Sequence, residues 1–305
     1  MRVAYLVQNH RCPRQAARLV AALRRGGDCR ILFVHDEFAG QCSARSLERV
    51  LKVEVLPTRR RARRAYLSMI EPYFDGVRHL AETSPRCDWL VYLSAQDYPI
   101  RPVAELERML EATTFDGFLR FWPAFEAQNP WGRPKQGVRR YLFQYHDAPR
   151  WTMPALRLLR AFNGLQGLLH VHLVYGPRVG LRGFRPPFHA GFHCWAGLAW
   201  TVLRRAVAEA ATEGFLGDPR LVEWFSRTIS PEEAVVQTVL LNSGLFQLCD
   251  DDLRYQRFTG SRDGHPHLLS SADLPELLAS GKYFARKFDL DVDERVLDEL
   301  DALSA

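Results

Sequence analysis

The sequence has no long hydrophobic segment. None of its apolar runs reaches the roughly 18–20 residues that a membrane-spanning helix needs, although 47% of the 305 residues are hydrophobic. The opening apolar run at residues 3–7 is also shorter than the hydrophobic region of a secretory signal peptide, which spans roughly 7–15 residues. We therefore expect a soluble, cytoplasmic protein without a membrane span.

Short motifs of several common enzyme classes are missing too. The six cysteines include no Cys-x-x-Cys pair, which excludes a zinc ribbon. Neither of the glycine-rich phosphate loops, GxGxxG and GxxxxGKS/T, is present, which weakens assignment to the NAD-dependent or P-loop enzymes. The GxSxG sequence that surrounds the serine of α/β-hydrolases is also absent.

Lysine is scarce, since only four of the 41 basic residues are lysine, and the formal net charge is +6. This excess is mild compared with that of dedicated polyanion binders, and no nucleic-acid-binding motif is present, so we expect no nucleic-acid partner. One dense cluster of arginines occupies residues 59–64. It is either a solvated surface segment or a patch for an anionic acceptor or phosphate.

What the sequence does contain is typical of a globular protein, with 25% charged residues and enough apolar residues for a sizeable core. Over residues 1–121, strand and helix patterns alternate. Such repeated β-α units predict an α/β fold with a mostly parallel sheet flanked by helices. Strands are predicted at 3–7, 31–34, 53–56, 88–93 and 117–121, and helices at 13–25, 63–82 and 102–112.

The remainder of the chain has fewer regular patterns. Residues 122–190 are rich in Pro, Trp, Gly and Arg and look irregular, except for an amphipathic stretch at 153–162. Long irregular segments within a compact domain are usually functional. No repeat or linker divides the chain, so we expect a single domain over residues 1–305. The helices predicted in this part lie at 198–211, 230–242, 274–279 and 292–303.

Polar side chains follow two of the predicted strands. Asp36 comes directly after the second strand, and Gln96 and Asp97 follow the fourth. In open α/β sheets, ligands bind beyond the carboxyl ends of the strands. We therefore expect these side chains at the rim of one crevice.

Two motifs have both a functional and a structural interpretation. The sequence SPEE at 230–233 fits a capping box, in which Glu233 bonds the backbone of Ser230. Alternatively, Glu233 is a general base held at the start of a helix. Arg286 and Lys287 either neutralise a diphosphate or face water while the neighbouring phenylalanines pack in the core.

Metal binding has weak support in the sequence. Asp250 and Asp252 resemble an Asp-x-Asp chelate for a hard cation, but acidic triplets after strands are also common as solvated turns. We therefore expect no metal and keep a site at Asp250 and Asp252 as the alternative. Two histidine pairs lack an obvious third ligand for zinc: His189 with His193, and His265 with His267.

Several sequence blocks, taken in order, resemble one enzyme family. Residues 93–101 (LSAQDYPIR) resemble the LSGQDYPL block of the core-2/I-branching β-1,6-N-acetylglucosaminyltransferases and their peptide O-xylosyltransferase relatives. Residues 230–240 are similar to the SPDE…QT helix of that family, and residues 273–289 to its DL…FARKFD terminus. The AYL at 4–6 and the FVHD at 33–36 also fit the family's opening. Together the blocks span nearly the whole chain.

The resemblance implies a GT-A-type, Rossmann-like glycosyltransferase that uses a UDP-sugar and inverts the anomeric centre. It also implies that no metal is needed, because basic side chains near the carboxyl end take over that role. Glu233 corresponds to the catalytic glutamate of the family, and Lys287 to its diphosphate-binding lysine. The partner arginine lies upstream of the DL pair, where Arg262 is the nearest candidate and Arg257 the second.

Further contacts are implied around the nucleotide. Asp36 corresponds to a nucleotide contact, and His10 lies in a loop that lines the same pocket. Asp97, with Gln96, corresponds to a block beside the donor cleft. Residues 1–121 would then form the nucleotide-sugar-binding half, and residues 122–305 the acceptor and catalytic half.

The identity of the substrates stays open in this comparison. GlcNAc and xylose are the expected donor sugars, and the acceptor is a glycan, a protein or a small molecule. The sequence departs from the family at Ala95, where glycine is common, and at 59–64, where Trp-Gly often occurs. Because animal relatives are Golgi membrane proteins, the missing anchor suggests a bacterial, cytoplasmic relative. A metal-dependent transferase and a non-catalytic nucleotide- or glycan-binding module are the alternatives.

Overall fold

The strands of the chain form one large sheet and two small ones. The structure, a computed structural model, describes residues 1–11, 13–27, 29–84, 86–132, 135–164, 167–258 and 265–304. In chain order the strands are β1 (Val3–Asn9), β2 (Arg30–His35), β3 (Glu54–Pro57), β4 (Trp89–Ser94), β5 (Asp97–Pro99), β6 (Gly117–Pro123), β7 (Phe143–Asp147), β8 (Leu169–His172), β9 (Arg178–Arg182), β10 (Trp195–Arg204), β11 (Leu248–Asp250), β12 (Arg254–Gln256) and β13 (Phe284–Arg286).

Helices connect most of these strands. Short 3-10 turns add to them, among them Leu67–Met69 and Pro231–Glu233. Among the described residues, none of the helices combines the length and the apolar character of a transmembrane segment. The α-helices are α1 (Pro13–Arg24), α2 (Ala44–Leu51), α3 (Glu71–Thr83), α4 (Val103–Ala112), α5 (Gln136–Tyr141), α6 (Met153–Arg160), α7 (Arg205–Leu216), α8 (Pro219–Ser226), α9 (Val235–Ser243), α10 (Leu274–Ala279) and α11 (Arg295–Leu303).

The large sheet has the strand order β11-β6-β10-β4-β1-β2-β3. β1 pairs in parallel with β2 and β4, β3 pairs in parallel with β2, and β11 pairs in parallel with β6. Only β10 runs antiparallel to its neighbours in the described sheet, between β4 and β6. The predicted α/β fold with a mostly parallel sheet is therefore confirmed.

Both faces of the large sheet are covered by helices. Successive side chains of a strand point to opposite faces, and β1 shows this clearly. Val3, Tyr5 and Val7 pack in a cluster with side chains of α1, α2 and α11. Ala4 and Leu6 pack in a second cluster with side chains of α3, α7 and α9. Burial on both faces explains why the strands read as continuous apolar runs rather than alternating ones.

The helix predicted at 198–211 is wrong in its first half. The structure has strand β10 up to Arg204, and helix α7 begins only at Arg205. β10 lies inside the sheet, so most of its residues are buried. A short apolar run of this kind has no period that distinguishes a strand from a buried helix.

Two further predicted helices start later than expected. In the segment predicted as a helix at 63–82, α3 begins at Glu71, and a loop with Ala65 at a φ of 64° precedes it. The helix predicted at 230–242 begins at Val235, after the 3-10 turn Pro231–Glu233. A residue at positive φ cannot continue a right-handed helix. The extended Tyr66 and the 3-10 turn Leu67–Met69 follow Ala65, so α3 begins only after them.

The middle of the chain is more regular than its composition suggests. β7, β9 and β8 form a three-stranded antiparallel sheet in that order, within residues 143–182. The buried guanidinium of Arg178 holds this sheet against the rest of the molecule, because its Nη1 donates to the carbonyls of Ala65 and Thr228. The same guanidinium stacks over the ring of Tyr66 at 4.2 Å. The small sheet thereby lies beside the loops that precede α3 and α9.

Candidate active site

The carboxyl ends of the parallel strands lie at one edge of the large sheet, as expected. Asp36, at the end of β2, is buried and uses both carboxylate oxygens on backbone amides. Its Oδ1 accepts from the amide of Phe38 at 3.0 Å, and its Oδ2 accepts from the amide of Ala62 at 3.1 Å. In the structure, Asp36 therefore ties the arginine-rich segment to the strand edge. Its assignment as a nucleotide contact stays a prediction.

Asp97 lies at the centre of a buried group of charges. Its side chain is fully buried and contacts two guanidiniums, that of Arg254 at 3.3 Å and that of Arg286 at 3.2 Å. The amide and hydroxyl of Ser94 also donate to this carboxylate, at 2.9 and 3.2 Å. In the structure both carboxylate oxygens of Asp97 are engaged, and they position the arginines that surround it. Its assignment to a block beside the donor cleft stays a prediction.

The short sheet β12-β13-β5 explains this arrangement. β13 pairs in parallel with β12 and antiparallel with β5, which brings Asp97, Arg254 and Arg286 onto three adjacent strands. Arg286 Nε and Arg254 Nη1 are buried without a hydrogen-bond partner among the described residues. Unused donors on buried cations are rare in native structures. One carboxylate thus serves two guanidiniums that retain unused hydrogen-bonding capacity.

Lys287 follows this group directly. Its backbone is fixed on both sides, because its amide donates to His267 and its carbonyl accepts from Leu269. Partial burial, together with the charges of Arg11 and Arg286, lowers the pKa of Lys287. No described residue pairs with its Nζ. We call the group of Asp97, Arg254, Arg286 and Lys287 the cationic end of the site.

Glu233 does not form the predicted capping box. Ser230 has a left-handed conformation with φ 53°, and its side chain caps no backbone amide. Glu233 instead forms an ion pair with Arg140 at the end of α5. The reason is the backbone: a capping box needs an extended residue at the N-cap. The interpretation in which Glu233 only caps its helix is therefore wrong.

Arg140 is itself tightly held. Its side chain is mostly buried and stacks over the ring of Trp131 at 4.7 Å. Burial alone lowers the pKa of this guanidinium, but the carboxylate of Glu233 and the phenol of Tyr141 outweigh burial and raise it. Arg140 consequently stays charged and fixes the orientation of Glu233.

Glu232 is the second carboxyl group at this position. Its Oε2 is buried and has no hydrogen-bond partner among the described residues. Burial, reinforced by the charge of Glu233, raises the pKa of Glu232 to about 8. At neutral pH this carboxyl group is mostly protonated, whereas a free glutamate is ionised. We call the group of Arg140, Glu232 and Glu233 the carboxylate end of the site.

Helix α9 holds the carboxylate end against the large sheet. Gln237 Nε2 donates to the carbonyl of Leu198 at 2.7 Å, at a point where β10 has an irregular register. Thr238 Oγ1 donates to the carbonyl of Trp195 and accepts from its amide, both at 3.1 Å. The QT pair that follows SPEE in the sequence is thus an anchor for the turn that carries Glu233.

Side chains between the two ends place them near each other, and we call the space between the two ends the cleft. The buried phenol of Tyr92, whose ring lies 5.0 Å from that of Trp200, interacts electrostatically with both Arg286 and Glu232. Arg286 stacks over the same Trp200 ring at 4.4 Å. Arg64 likewise acts on Lys287 at one end and on Glu232 at the other. The two ends therefore lie within electrostatic reach of each other over an aromatic floor.

Tyr175 closes the cleft from the side of the small antiparallel sheet. Arg64 lies over its ring at 4.9 Å, and His172 stacks on the ring at 5.3 Å. The charges of Arg140 and Glu233 also act on its phenol. Burial lowers the pKa of His172 to about 4, so this imidazole is neutral at physiological pH.

Comparison with known proteins identifies the family of the chain. Residues 3–276 match the Core-2/I-branching enzyme family. The chain belongs to this family. Over 99% of its length it is 26% identical to rat xylosyltransferase 2, and over 36% of its length it is 31% identical to the beta-glucuronosyltransferase GlcAT14A of Arabidopsis thaliana.

The match to these family members covers only part of their length. The chain spans about a third of rat xylosyltransferase 2 and a quarter of the Arabidopsis enzyme. Among solved structures, mouse xyloside xylosyltransferase 1 aligns with 93% of this chain, and the alignment covers 96% of the mouse protein, at 12% identity and a TM-score of 0.39. A TM-score this low does not bear on function.

Two further residues predicted from the family resemblance, His10 and Gln96, have different surroundings. Partial burial and the charges of Arg11 and Lys287 lower the pKa of His10. This influence of Lys287 shows that His10 is near the cationic end. Gln96 is buried, and its Nε2 donates to the carbonyl of Phe288 at 3.3 Å, just beyond Lys287. It supports the backbone of the cationic end, and its assignment beside the donor cleft stays a prediction.

Of the two arginines predicted to partner Lys287, the structure describes only Arg257. Arg262 lies outside the described residues. Arg257 forms ion pairs with Asp273 at 2.6 Å and with Glu276 at 3.7 Å, so its charge is neutralised by carboxylates beside α10. The cationic end contains two other arginines, Arg254 and Arg286, and the second is adjacent to Lys287 in the sequence.

The aspartates considered for metal binding take different partners. Asp250 Oδ1 accepts from the amide of Phe121 at 2.9 Å, whereas Asp252 Oδ2 accepts from Gln256 Nε2 at 2.9 Å. Burial raises the pKa of Asp252 to about 6. Asp251 between them pairs with Lys282 at 2.6 Å. Within the described part of the chain, no group of three or more His, Cys, Asp or Glu side chains is arranged to hold a metal ion.

The arginine cluster at 59–64 is partly a set of surface ion pairs. Arg59 pairs with Asp75, Arg60 with Glu71, and Arg63 with Asp147. Arg64 differs because it reaches the cleft. The sequence showed the cluster but gave no sign that one member lies between the cationic and carboxylate ends.

Proposed function

We propose that the chain is an inverting glycosyltransferase that moves a sugar from a UDP-sugar to an acceptor hydroxyl without a metal ion. The observation that carries the proposal is the opposition of charges across one cleft. Lys287, with Arg286 beside it, provides cations at one end. Glu233 provides a carboxylate at the other, held by Arg140. A base and a leaving-group clamp are the two parts that such a transfer needs.

At the cationic end, Lys287 and Arg286 stabilise the diphosphate of the departing UDP. Negative charge grows on that group as the bond to the sugar breaks, and preorganised cations lower the energy of this state. Because Asp97 shares its charge between Arg254 and Arg286, the cationic end keeps positive charge for a ligand. The lowered pKa of Lys287 is the expected result of partial burial together with several neighbouring cations.

At the carboxylate end, Glu233 takes the proton of the acceptor hydroxyl as that oxygen attacks the sugar. A hydroxyl is a weak nucleophile at neutral pH, and a carboxylate within about 2.6–3.2 Å can remove its proton during attack. The ion pair with Arg140 orients Glu233 for this role. Attack from the side opposite the leaving group is a single displacement, and it inverts the anomeric centre.

The donor sugar is inferred from the named relatives and not from the geometry of the site. Relatives of the chain are named for the transfer of xylose and glucuronic acid. We propose GlcNAc or xylose as the donor sugar, carried by UDP. Acceptor contacts are expected around Tyr175 and Arg64, on the side of the small antiparallel sheet.

Replacement of Glu233 by glutamine tests the proposal. The variant should fold normally and bind UDP, but its turnover should fall about 100- to 10,000-fold, which is the typical contribution of a general base. Glu223→Gln is a matched control, because this glutamate is exposed on α8 and pairs only loosely with Arg227 at 3.7 Å. Release of UDP from a panel of UDP-sugars with simple acceptors is the measurement. Turnover of Glu233→Gln within a few-fold of the parent would refute the assignment.

Chelation separates the metal-free from the metal-dependent mechanism. Activity that survives EDTA supports the clamp formed by Lys287 and Arg286. Activity that EDTA abolishes and Mn²⁺ restores would instead favour a site at Asp250 and Asp252. Slow hydrolysis of the donor in the absence of an acceptor would argue against a non-catalytic binding module.

A further inference from the structure

Helix α6 and its flanking turns expose large apolar side chains. Arg150–Thr152 and Ala161–Gly164 are 3-10 turns that extend the helix at both ends. Large apolar side chains are rarely this exposed. A single exposed apolar residue needs no explanation, but a contiguous group does. These side chains are Trp151 (81%), Leu158 (75%), Leu159 (48%), Phe162 (54%) and, after the second turn, Leu168 (66%).

The direction of these side chains is set by the helix. Leu156 is the one buried residue of α6 in the structure and points toward the protein. At 100° per residue, Trp151, Leu158 and Phe162 fall on one stripe that faces away from Leu156. The outward face of the helix is therefore apolar, which is the reverse of an ordinary surface helix. We call the segment 150–168, within its described residues, the α6 face.

Positive charge surrounds the stripe. Arg150, Arg157 and Arg160 lie on the same segment, and none of them forms an ion pair with a described carboxylate. No negative charge in the neighbouring sequence offsets them, since residues 148–177 contain no acidic residue. The α6 face is thus apolar in its centre and cationic at its sides.

We propose that the α6 face docks on an anionic lipid surface. A helix with Trp, Leu and Phe on one side and arginines beside them is the pattern of helices that lie in the plane of a membrane interface. The apolar side chains would enter the boundary of the acyl chains, while the arginines contact anionic headgroups. A second copy of the chain is a poorer occupant, because a symmetric dimer would bring these arginines close to their own copies.

The position of the α6 face relates it to the cleft. α6 packs against β8, and His172 at the end of β8 stacks on Tyr175, which borders the cleft. The docking surface and the acceptor side of the cleft are therefore both in contact with the small antiparallel sheet. An acceptor displayed at a lipid surface would reach the cleft from this side, although the docking itself does not depend on the proposed catalytic function.

Vesicle co-sedimentation of the full chain tests the proposal. The protein should bind vesicles of phosphatidylcholine with about 30% phosphatidylglycerol, should bind pure phosphatidylcholine more weakly, and should lose affinity as salt is raised. Trp151→Ser, Leu158→Ser and Phe162→Ser should each weaken binding at least about tenfold. Arg157→Gln should weaken binding to the anionic vesicles about fivefold.

A control variant distinguishes binding through the α6 face from nonspecific hydrophobic binding to the vesicles. Leu245→Ser removes another exposed apolar side chain, 77% accessible, that lies outside the α6 face, and its vesicle binding should match the parent. All of these residues are exposed, so unchanged melting temperatures are expected. The proposal is overturned if the parent does not bind anionic vesicles, or if Trp151→Ser and Leu158→Ser bind as well as the parent. It is also overturned if ultracentrifugation shows a dimer that these substitutions dissociate.

Discussion

The cationic and carboxylate ends of the cleft reach their geometry by different means. The cationic end is assembled on three short adjacent strands, and a fully buried carboxylate, Asp97, fixes its two arginines. The carboxylate end is a turn between elements, where Ser230 has a left-handed backbone and Glu233 is held by one ion pair to Arg140. The first is therefore expected to be rigid and costly to disturb, and the second to respond to local changes in charge.

The largest effect is expected when Asp97 is replaced by asparagine. The substitution leaves Arg254 and Arg286 buried without the carboxylate that both contact. Removing one partner of a buried ion pair typically costs about 3–5 kcal/mol of the free energy of unfolding. Urea denaturation measures this loss. Glu213→Gln, which breaks an exposed pair with Arg78, should cost less than about 1 kcal/mol, and equal losses for the two variants would contradict the structural role of Asp97.

The second-largest effect is expected for a substitution at the cationic end that changes activity and leaves stability nearly unchanged. Lys287→Ala removes a cation whose Nζ has no partner among the described residues, so the free energy of unfolding should change little. Turnover should fall about 100- to 1,000-fold, and calorimetry should show weaker binding of UDP. Lys282→Ala is the control, since that lysine pairs with Asp251 at 2.6 Å outside the cleft. Unchanged UDP affinity in Lys287→Ala would remove the clamp from the mechanism.

The contrast between the two ends also explains how far the sequence could be interpreted. The strands β1, β2, β4 and β6 were predictable because they are buried on both faces and follow one another with helices between them. The blocks at 93–101 and 273–289 identified the cationic end through a family resemblance. They could not show that Asp97 supports arginines, because its partner Arg286 lies 189 residues away.

The carboxylate end was less accessible to sequence reasoning. Glu233 was identified by its motif, but its partner Arg140 lies 93 residues earlier, in a region without clear periodicity. The capping-box prediction failed because Ser230 has a positive φ. The presence of a serine in the sequence does not indicate this backbone conformation. Tyr175 and Arg64 meet only through the packing of the small antiparallel sheet beside the loop that precedes α3. Contacts of this kind depend on tertiary packing, which local patterns do not encode.

The smallest effect is expected at Glu232 and appears as a dependence on pH. Burial and the charge of Glu233 raise the pKa of Glu232 to about 8 in the folded protein, above the value of a free glutamate in the unfolded chain. The folded state therefore binds more protons between these two values, so stability declines as the pH rises from one to the other, and the decline levels off above about pH 8. Glu232→Gln removes this proton, so the variant should keep about 1 kcal/mol more of its stability than the parent between pH 7 and pH 9. Urea denaturation across this range measures the difference, and parallel pH profiles for parent and variant would show that Glu232 is ionised at neutral pH.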